Sequence, residues 1–239
     1  MKELCLDTAN QTLGVAFLEE GKPQWIVQRF QQKNHSIALM PAIEDGMKEL
    51  QWEPKDLDRI YVSYGPGSYT GVRIGVTTAK TMAYALQCPL CLVSSLAIMA
   101  ASAPKGIVVP MINARRQHVY AGIYEWDGEK VVSLHEDGYF SLEEMIDRAS
   151  AFEEVIFTGD AKDFKEEILA QIPEAKIQEG WIDSAPNPYG MVFCPYEEVS
   201  GEAIHTVVPN YLKRVEAEEN WLKEHGTQIE ETNYVERTK

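Results

Sequence analysis

The chain opens with apolar residues at alternate positions. Leu4, Leu6 and Thr8 fall on one face, Cys5 and Asp7 on the other. A turn at Ala9-Asn10-Gln11 leads into the apolar run 13–18, and a second at 19–23 leads into Trp25-Ile26-Val27. Three strands joined by tight turns predict an antiparallel meander. The period then lengthens. Ile37, Met40, Ile43, Met47 and Leu50 recur at helical spacing, with Asn34 or Ser36 placed to cap. Pro41 lies early in this helix, where a missing N–H is best tolerated.

A strand over 59–63 precedes Gly65-Pro66-Gly67-Ser68-Tyr69-Thr70-Gly71-Val72-Arg73-Ile74-Gly75, which opens a helix running to about Leu86. Gly-Pro-Gly makes a stiff, sharp turn, because glycine reaches positive φ and proline fixes its own. The first N–H groups of the helix are a natural anion site. Gly71, Gly75, Ala79 and Ala83 recur every four positions and would let another backbone come close. The segment therefore offers both a phosphate loop and a helix-docking face.

Near Pro104-Lys105-Gly106 a second unit begins. Strands are expected at 107–112 and 118–124, starting at Val131-Val132, and at 155–157; helices are expected at 142–149 and 163–171. An opening meander followed by mixed α and β thus occurs twice, without evident identity of residues. The expected division is 1–103, 104–215 and a polar acidic tail over 216–239, where Trp221 and Leu222 could anchor a short helix.

Composition narrows the function. The 239 residues are 45% hydrophobic, ordinary for a globular protein, and carry a formal charge of −15. That charge argues against the chain gripping nucleic acid by itself. It suits a basic partner, or solubility alone. The four cysteines form no disulfide framework, and Cys88-Pro-Leu-Cys91 has no second pair to complete a zinc site. Two small buried residues are the better reading. Residues 83–103 carry no charge, but Gln87, Pro89, Ser94, Ser95 and Ser102 divide them, as in a core β-α element. With no signal-peptide pattern, the expected location is cytoplasmic.

Asp7-Thr8, ending the first strand, is a phosphate-type position. Its carboxylate could hold hydrated Mg²⁺ beside ATP or ADP, with Thr12, Gly65 and Gly67 around the phosphates. Asp-Thr also serves ordinary turn chemistry. Arg115 and Arg116, conspicuous in so acidic a chain, could bind an anion or a partner's carboxylate, or simply be solvated on a hairpin. No GxSxG surrounds Ser68 and no Gly-Lys-Ser/Thr follows the loop. The five histidines are dispersed, and His35 reads as a capping or surface residue. No catalytic or metal-binding set is predicted.

Leu6-Asp7-Thr8, His35-Ser36, Leu39-Met40-Pro41, the segment 65–75 with Ala79-Lys80, Val93-Ser94-Ser95-Leu96, Asn113-Ala114-Arg115-Arg116, Gly159-Asp160-Ala161 and Pro209-Asn210-Tyr211-Leu212-Lys213-Arg214 together resemble the TsaB (YeaZ) family of bacterial tRNA threonylcarbamoyladenosine biosynthesis proteins, over about residues 1–215. The resemblance implies the actin-like, sugar-kinase-like ATPase fold: α/β, with two RNase-H-like mixed-sheet halves around a cleft. It implies a non-catalytic subunit that dimerises with its paralogue TsaD, is joined by TsaE, and meets tRNA only through the complex. TsaD carries the metal on a His-x-x-x-His helix. The same spacing here falls on Ser95 and Met99, poor substitutes for two imidazoles. Where the family usually has Asp, this chain has Asn113, which weakens an independent kinase or ATPase acting through Asp7. The helix residues Met40, Met47, Gly71, Gly75, Ala79 and Ala83 become candidates for a four-helix interface with TsaD, against the alternative of packing onto the chain's own sheet. Alone, such a face would favour a homodimer.

Overall fold

A computed structural model describes residues 1–30, 35–180 and 184–213. The opening meander is β1 (Lys2–Asp7), β2 (Thr12–Glu19) and β3 (Lys22–Phe30), all antiparallel. β4 (Arg59–Ser63) joins β1 in parallel, and β5 (Leu90–Val93) joins β4 in parallel. Helices α1 (His35–Leu50) and α2 (Tyr69–Leu86) supply the crossovers that parallel strands require. α3 (Ser95–Ala101) follows β5.

The second sheet repeats the theme. β6 (Gly106–Asn113), β7 (His118–Trp126) and β8 (Val131–Ser141) form its meander. After α4 (Leu142–Ala149), β9 (Val155–Gly159) pairs with β6 in parallel, and after α5 (Lys165–Gln171) the short β10 (Lys176–Ile177) pairs with β9. With the last strand, β11 (Tyr196–Val199), the strand orders are β11-β5-β4-β1-β2-β3 and β10-β9-β6-β7-β8.

Alternation along β1 and β2 sorts the core into layers. Leu4, Leu6, Val15 and Phe17 pack with α1 and α2. Cys5, Ala16 and Leu18 point the other way, into a cluster with α3 and the second lobe. Val109, Met111 and Phe157 pack with α4 and α5. The central strands β1, β2, β4 and β5 are therefore buried along nearly all their length, which is why they are rich in apolar residues. All four cysteines are free thiols and buried.

Three expectations need correction. The 104–215 unit does not stay with one sheet: β11 (Tyr196–Val199) crosses back and pairs antiparallel with β5, an edge otherwise left open. The line of small residues in α2 faces this chain's own strands. A methyl at Gly71 would sit 2.1 Å from the Thr8 carbonyl oxygen, and one at Gly75 2.5 Å from Thr8 Oγ1. Ala79 and Ala83 are fully buried in the same cluster, and Met47 is nearly so. These glycines let α2 lie against β1; they offer no free surface, and Met40 alone of the six candidates is exposed. Finally, the predicted helix over 163–171 is 3-10 up to Phe164 and α only from Lys165. Asn34 as a cap and the tail over 216–239 lie outside the described residues.

Candidate functional site

A cleft of about 620 Å³ separates the lobes. The β1–β2 turn (Ala9 to Thr12) and Gly67 to Gly71 wall one side; Asn113, Arg115, Asp160, Lys162 and Asp163 wall the other. Met99 of α3 lines it as well.

The residues expected at a nucleotide divide here. Thr12 and Gly67 line the cleft, whereas Asp7, Thr8 and Gly65 lie behind it. Thr8 Oγ1 donates to the Gly71 carbonyl at 2.7 Å, so its hydroxyl clamps α2 to β1. Ser68 N–H donates to the Ala9 carbonyl at 2.7 Å, and the Gly65 carbonyl accepts from Ser95 N–H at 2.9 Å. Gly71 N–H meets the capping Ser68 hydroxyl. The Ser68 and Gly71 N–H groups are thus satisfied within the chain. The loop's glycines are required by crowding: a methyl at Gly67 would lie 2.3 Å from the Ala9 carbonyl oxygen, and one at Gly65 2.6 Å from that of Asn210.

Asp7 is 1% exposed. Its Oδ1 accepts from Ala9 N–H at 3.0 Å, while Oδ2 has no partner. Burial pushes its carboxyl above the ordinary aspartate range; the Ala9 N–H, the Ser63 hydroxyl and the His35 imidazole pull it back. His35 was expected at the surface or as a cap. Instead its Nε2 donates to the Asn10 carbonyl at 2.9 Å, leaving Nδ1 buried and unpartnered. No spacing rule links positions 7 and 35; the meander and α1 bring them together.

Asn113 organises the opposite wall. Its N–H donates to Asp160 at 2.9 Å, its side-chain amide to Asp163 at 3.3 Å, and its Oδ1 accepts from Arg115 N–H at 2.9 Å. Burial, followed by the charge of Asp163, raises the Asp160 carboxyl, and the Asn113 N–H opposes them. An aspartate at 113 could not donate to Asp163 and would add a third carboxylate. Arg115, Arg116 and Gln117 continue the turn with φ of 66°, 52° and 56°, a left-handed run uncommon for non-glycine residues.

Ser95 Oγ lies 3.0 Å from Ser63 Oγ, and the Met99 thioether meets the Asn10 amide at 3.9 Å. Among the described residues no three His, Cys, Asp or Glu side chains group as a metal site, and no helix is long and apolar enough to cross a membrane. One half-buried carboxylate escaped sequence reasoning. Asp137 accepts from the hydroxyls of Ser94 and Tyr124, tying β8 to the start of α3, and burial raises its carboxyl. Its neighbours Glu136 and Gly138 give no sign of this.

On the outer surface of the helices, Ile37 is 71% and Met40 51% exposed on α1. Along α2 the exposed positions include Arg73, Thr77 and Thr81.

The family model described as "TsaD: tRNA N6-adenosine threonylcarbamoyltransferase" matches residues 23–221. The tRNA threonylcarbamoyladenosine biosynthesis protein TsaB of Bacillus subtilis (strain 168) is 34% identical over 230 residues, covering 93% of this chain and 99% of that protein. A solved structure from Pseudomonas aeruginosa, an uncharacterized protein with similarity to peptidase YEAZ, superimposes with a TM-score of 0.74 at 25% identity, covering 89% of this chain and 99% of that one. YeaZ from the same organism gives a TM-score of 0.73 at 23% identity over 88% and 99% of the two chains.

Proposed function

We propose that this chain, which belongs to the TsaB family of tRNA threonylcarbamoyladenosine biosynthesis proteins, is a non-catalytic scaffold that pairs with a TsaD subunit through the outer faces of α1 and α2. The observation that carries the reading is the exposure of Ile37 and Met40 on a helix whose other apolar side is already buried. Large exposed apolar side chains grouped on one helix favour a partner surface. Beside them α2 presents the short side chains of Thr77 and Thr81, which admit close helix packing. TsaE joins the pair in this reading, and tRNA is met through the complex. Alone, the same face pairs with a second copy of the chain.

The fold class, α/β with two mixed sheets in the actin-like, sugar-kinase-like ATPase arrangement, makes ATP or ADP with Mg²⁺ the alternative ligand. The residues fit it poorly. Asp7 is sealed behind the turn, the Ser68 N–H is already bonded within the chain, and Asp160 and Asp163 stand in the cleft beside Arg115 and Lys162. The proposal therefore assigns no resident cofactor. Ser95 and Met99, the positions corresponding to the paralogue's histidines, support the same division of labour, since hydroxyl and thioether bind a divalent ion weakly.

The test is direct. Mixed at micromolar concentration with TsaD, the chain should co-elute as a 1:1 complex on size exclusion. Two unshifted peaks would sink the scaffold reading. Magnesium-dependent ATP turnover by the isolated chain, lost in Asp7→Ala, would establish the enzyme in its place.

A further inference from the structure

Cations and aromatic rings follow one another along a band that runs from α2 to the hairpin at Arg115, where it reaches the cleft. It begins on α2, where Arg73 Nη1 donates to the Tyr69 hydroxyl at 2.9 Å and the guanidinium lies 5.2 Å from the centre of that ring. Tyr69 stacks on Tyr211 at 5.2 Å with 26° between planes. Two residues on, within about 7 Å of extended chain, Lys213 Nζ sits 5.0 Å over the ring of Tyr139 in the other lobe. Tyr139 stacks on His118 at 4.8 Å and 11°, and His118 Nδ1 donates to the Arg116 carbonyl at 2.7 Å. The left-handed hairpin then presents Arg115 and Arg116, both exposed.

We propose that this band, from Arg73 and Tyr69 through Tyr211 and Tyr139 to Arg115, binds single-stranded RNA directly. The inference rests on the family reading for the choice of RNA. The chemistry comes from the band itself. Open strands are held by aromatic faces on which bases stack, interleaved with cations that follow the phosphates. Tyr69 and Tyr211 are 50% and 41% exposed although stacked on each other, so each keeps an open ring surface. A chain of net charge −15 repels polyanions at long range, so cations gathered beside rings mark a local site. An acidic peptide would pair with the arginines but would leave the rings without a role. It departs from the expectation that tRNA is met only through other subunits.

The full-length chain is titrated with a short fluorescent ribo-oligonucleotide of anticodon-loop sequence at about 50 mM salt, where phosphate contacts are strong. Saturable binding is expected, with photo-crosslinks at Tyr69 or Tyr211. Tyr211→Ala should weaken binding about tenfold, within the range for loss of one stacked base. Arg115→Ala should reduce the log–log salt slope by about 0.7, one phosphate contact on a single strand. The proposal is overturned by absence of saturable binding, by crosslinks confined to other surfaces, by unchanged affinity in both variants, or by a glutamate-rich peptide competing as well as the RNA. Co-elution with TsaD is measured on the same variants. Loss of RNA binding with co-elution intact upholds the band, and failed co-elution of the wild-type chain with RNA binding intact counts against the scaffold reading alone.

Discussion

Asp7 and His35 show how a residue can sit against the interest of stability. Asp7 Oδ2 and His35 Nδ1 are two buried acceptors in one region, and neither has a donor. The folded state holds the Asp7 proton above its ordinary value of 3.8. The folded chain therefore binds more protons than the unfolded chain over that window. The stability Asp7 contributes is fully present below pH 3.8 and is lost as pH rises through the raised folded value. Asp7→Asn keeps the acceptor for Ala9 N–H and removes the buried charge. It should raise the melting temperature at pH 7 by about 2–4 °C, the shift expected from about 1 kcal/mol in a chain of this size, and flatten the decline of stability above pH 4; calorimetry across pH checks both. Gly71 argues the opposite case. Its missing side chain admits the Thr8 carbonyl, so Gly71→Ala must displace backbone and should cost about 1–3 kcal/mol. A melting temperature within a degree of wild type would contradict that packing.

At the scale of elements, the two faces of α1 and the cap of α3 carry separable roles. Ile37→Asp with Met40→Asp changes only exposed positions, so the melting temperature should hold within about 0.5 kcal/mol of equivalent stability. Pairing with TsaD, or self-association, should be lost in the same double variant by sedimentation or size exclusion. Ser94 caps α3 by accepting from Leu96 and Ala97 N–H and also donates to half-buried Asp137. Ser94→Ala removes all three bonds and should cost about 1–2 kcal/mol, more than an ordinary cap on an exposed helix. Denaturant titration reads the difference. Most of the longer elements were legible in the sequence, because they bury a regular face, though only the start of β8 was read and β10 was not expected. β11 was not: Tyr196-Glu197-Glu198-Val199 is polar and exposed along most of its length, and its reason for being a strand is the open edge of β5.

At the scale of the whole molecule, two lobes meet around a cleft that Thr12, Gly67, Asn113 and Asp160 line, with Asp7 and Thr8 buried behind it. The turnover expected of the isolated chain with Mg²⁺ and ATP is none above blank, and isothermal titration with ADP should show no strong site. Nanomolar binding would mean that the loop donors rearrange. The amino-acid sequence by itself determined the doubled order of meander and mixed α and β, the buried character of the strands, the acidic surface and the family resemblance. Each of these is a local or compositional property, written in period, turn residues and motifs. Tertiary structure alone decided which side of a helix was free. Gly71, Gly75, Ala79 and Ala83 are equally suited to a partner's backbone or to the chain's own sheet, and only the tertiary structure shows Gly71 and Gly75 against Thr8 and the two alanines in the core. It alone joined Asp7 to His35, and Tyr69 through Tyr211 and Lys213 to Tyr139. Such contacts join positions far apart in the chain, and neither period nor spacing encodes them.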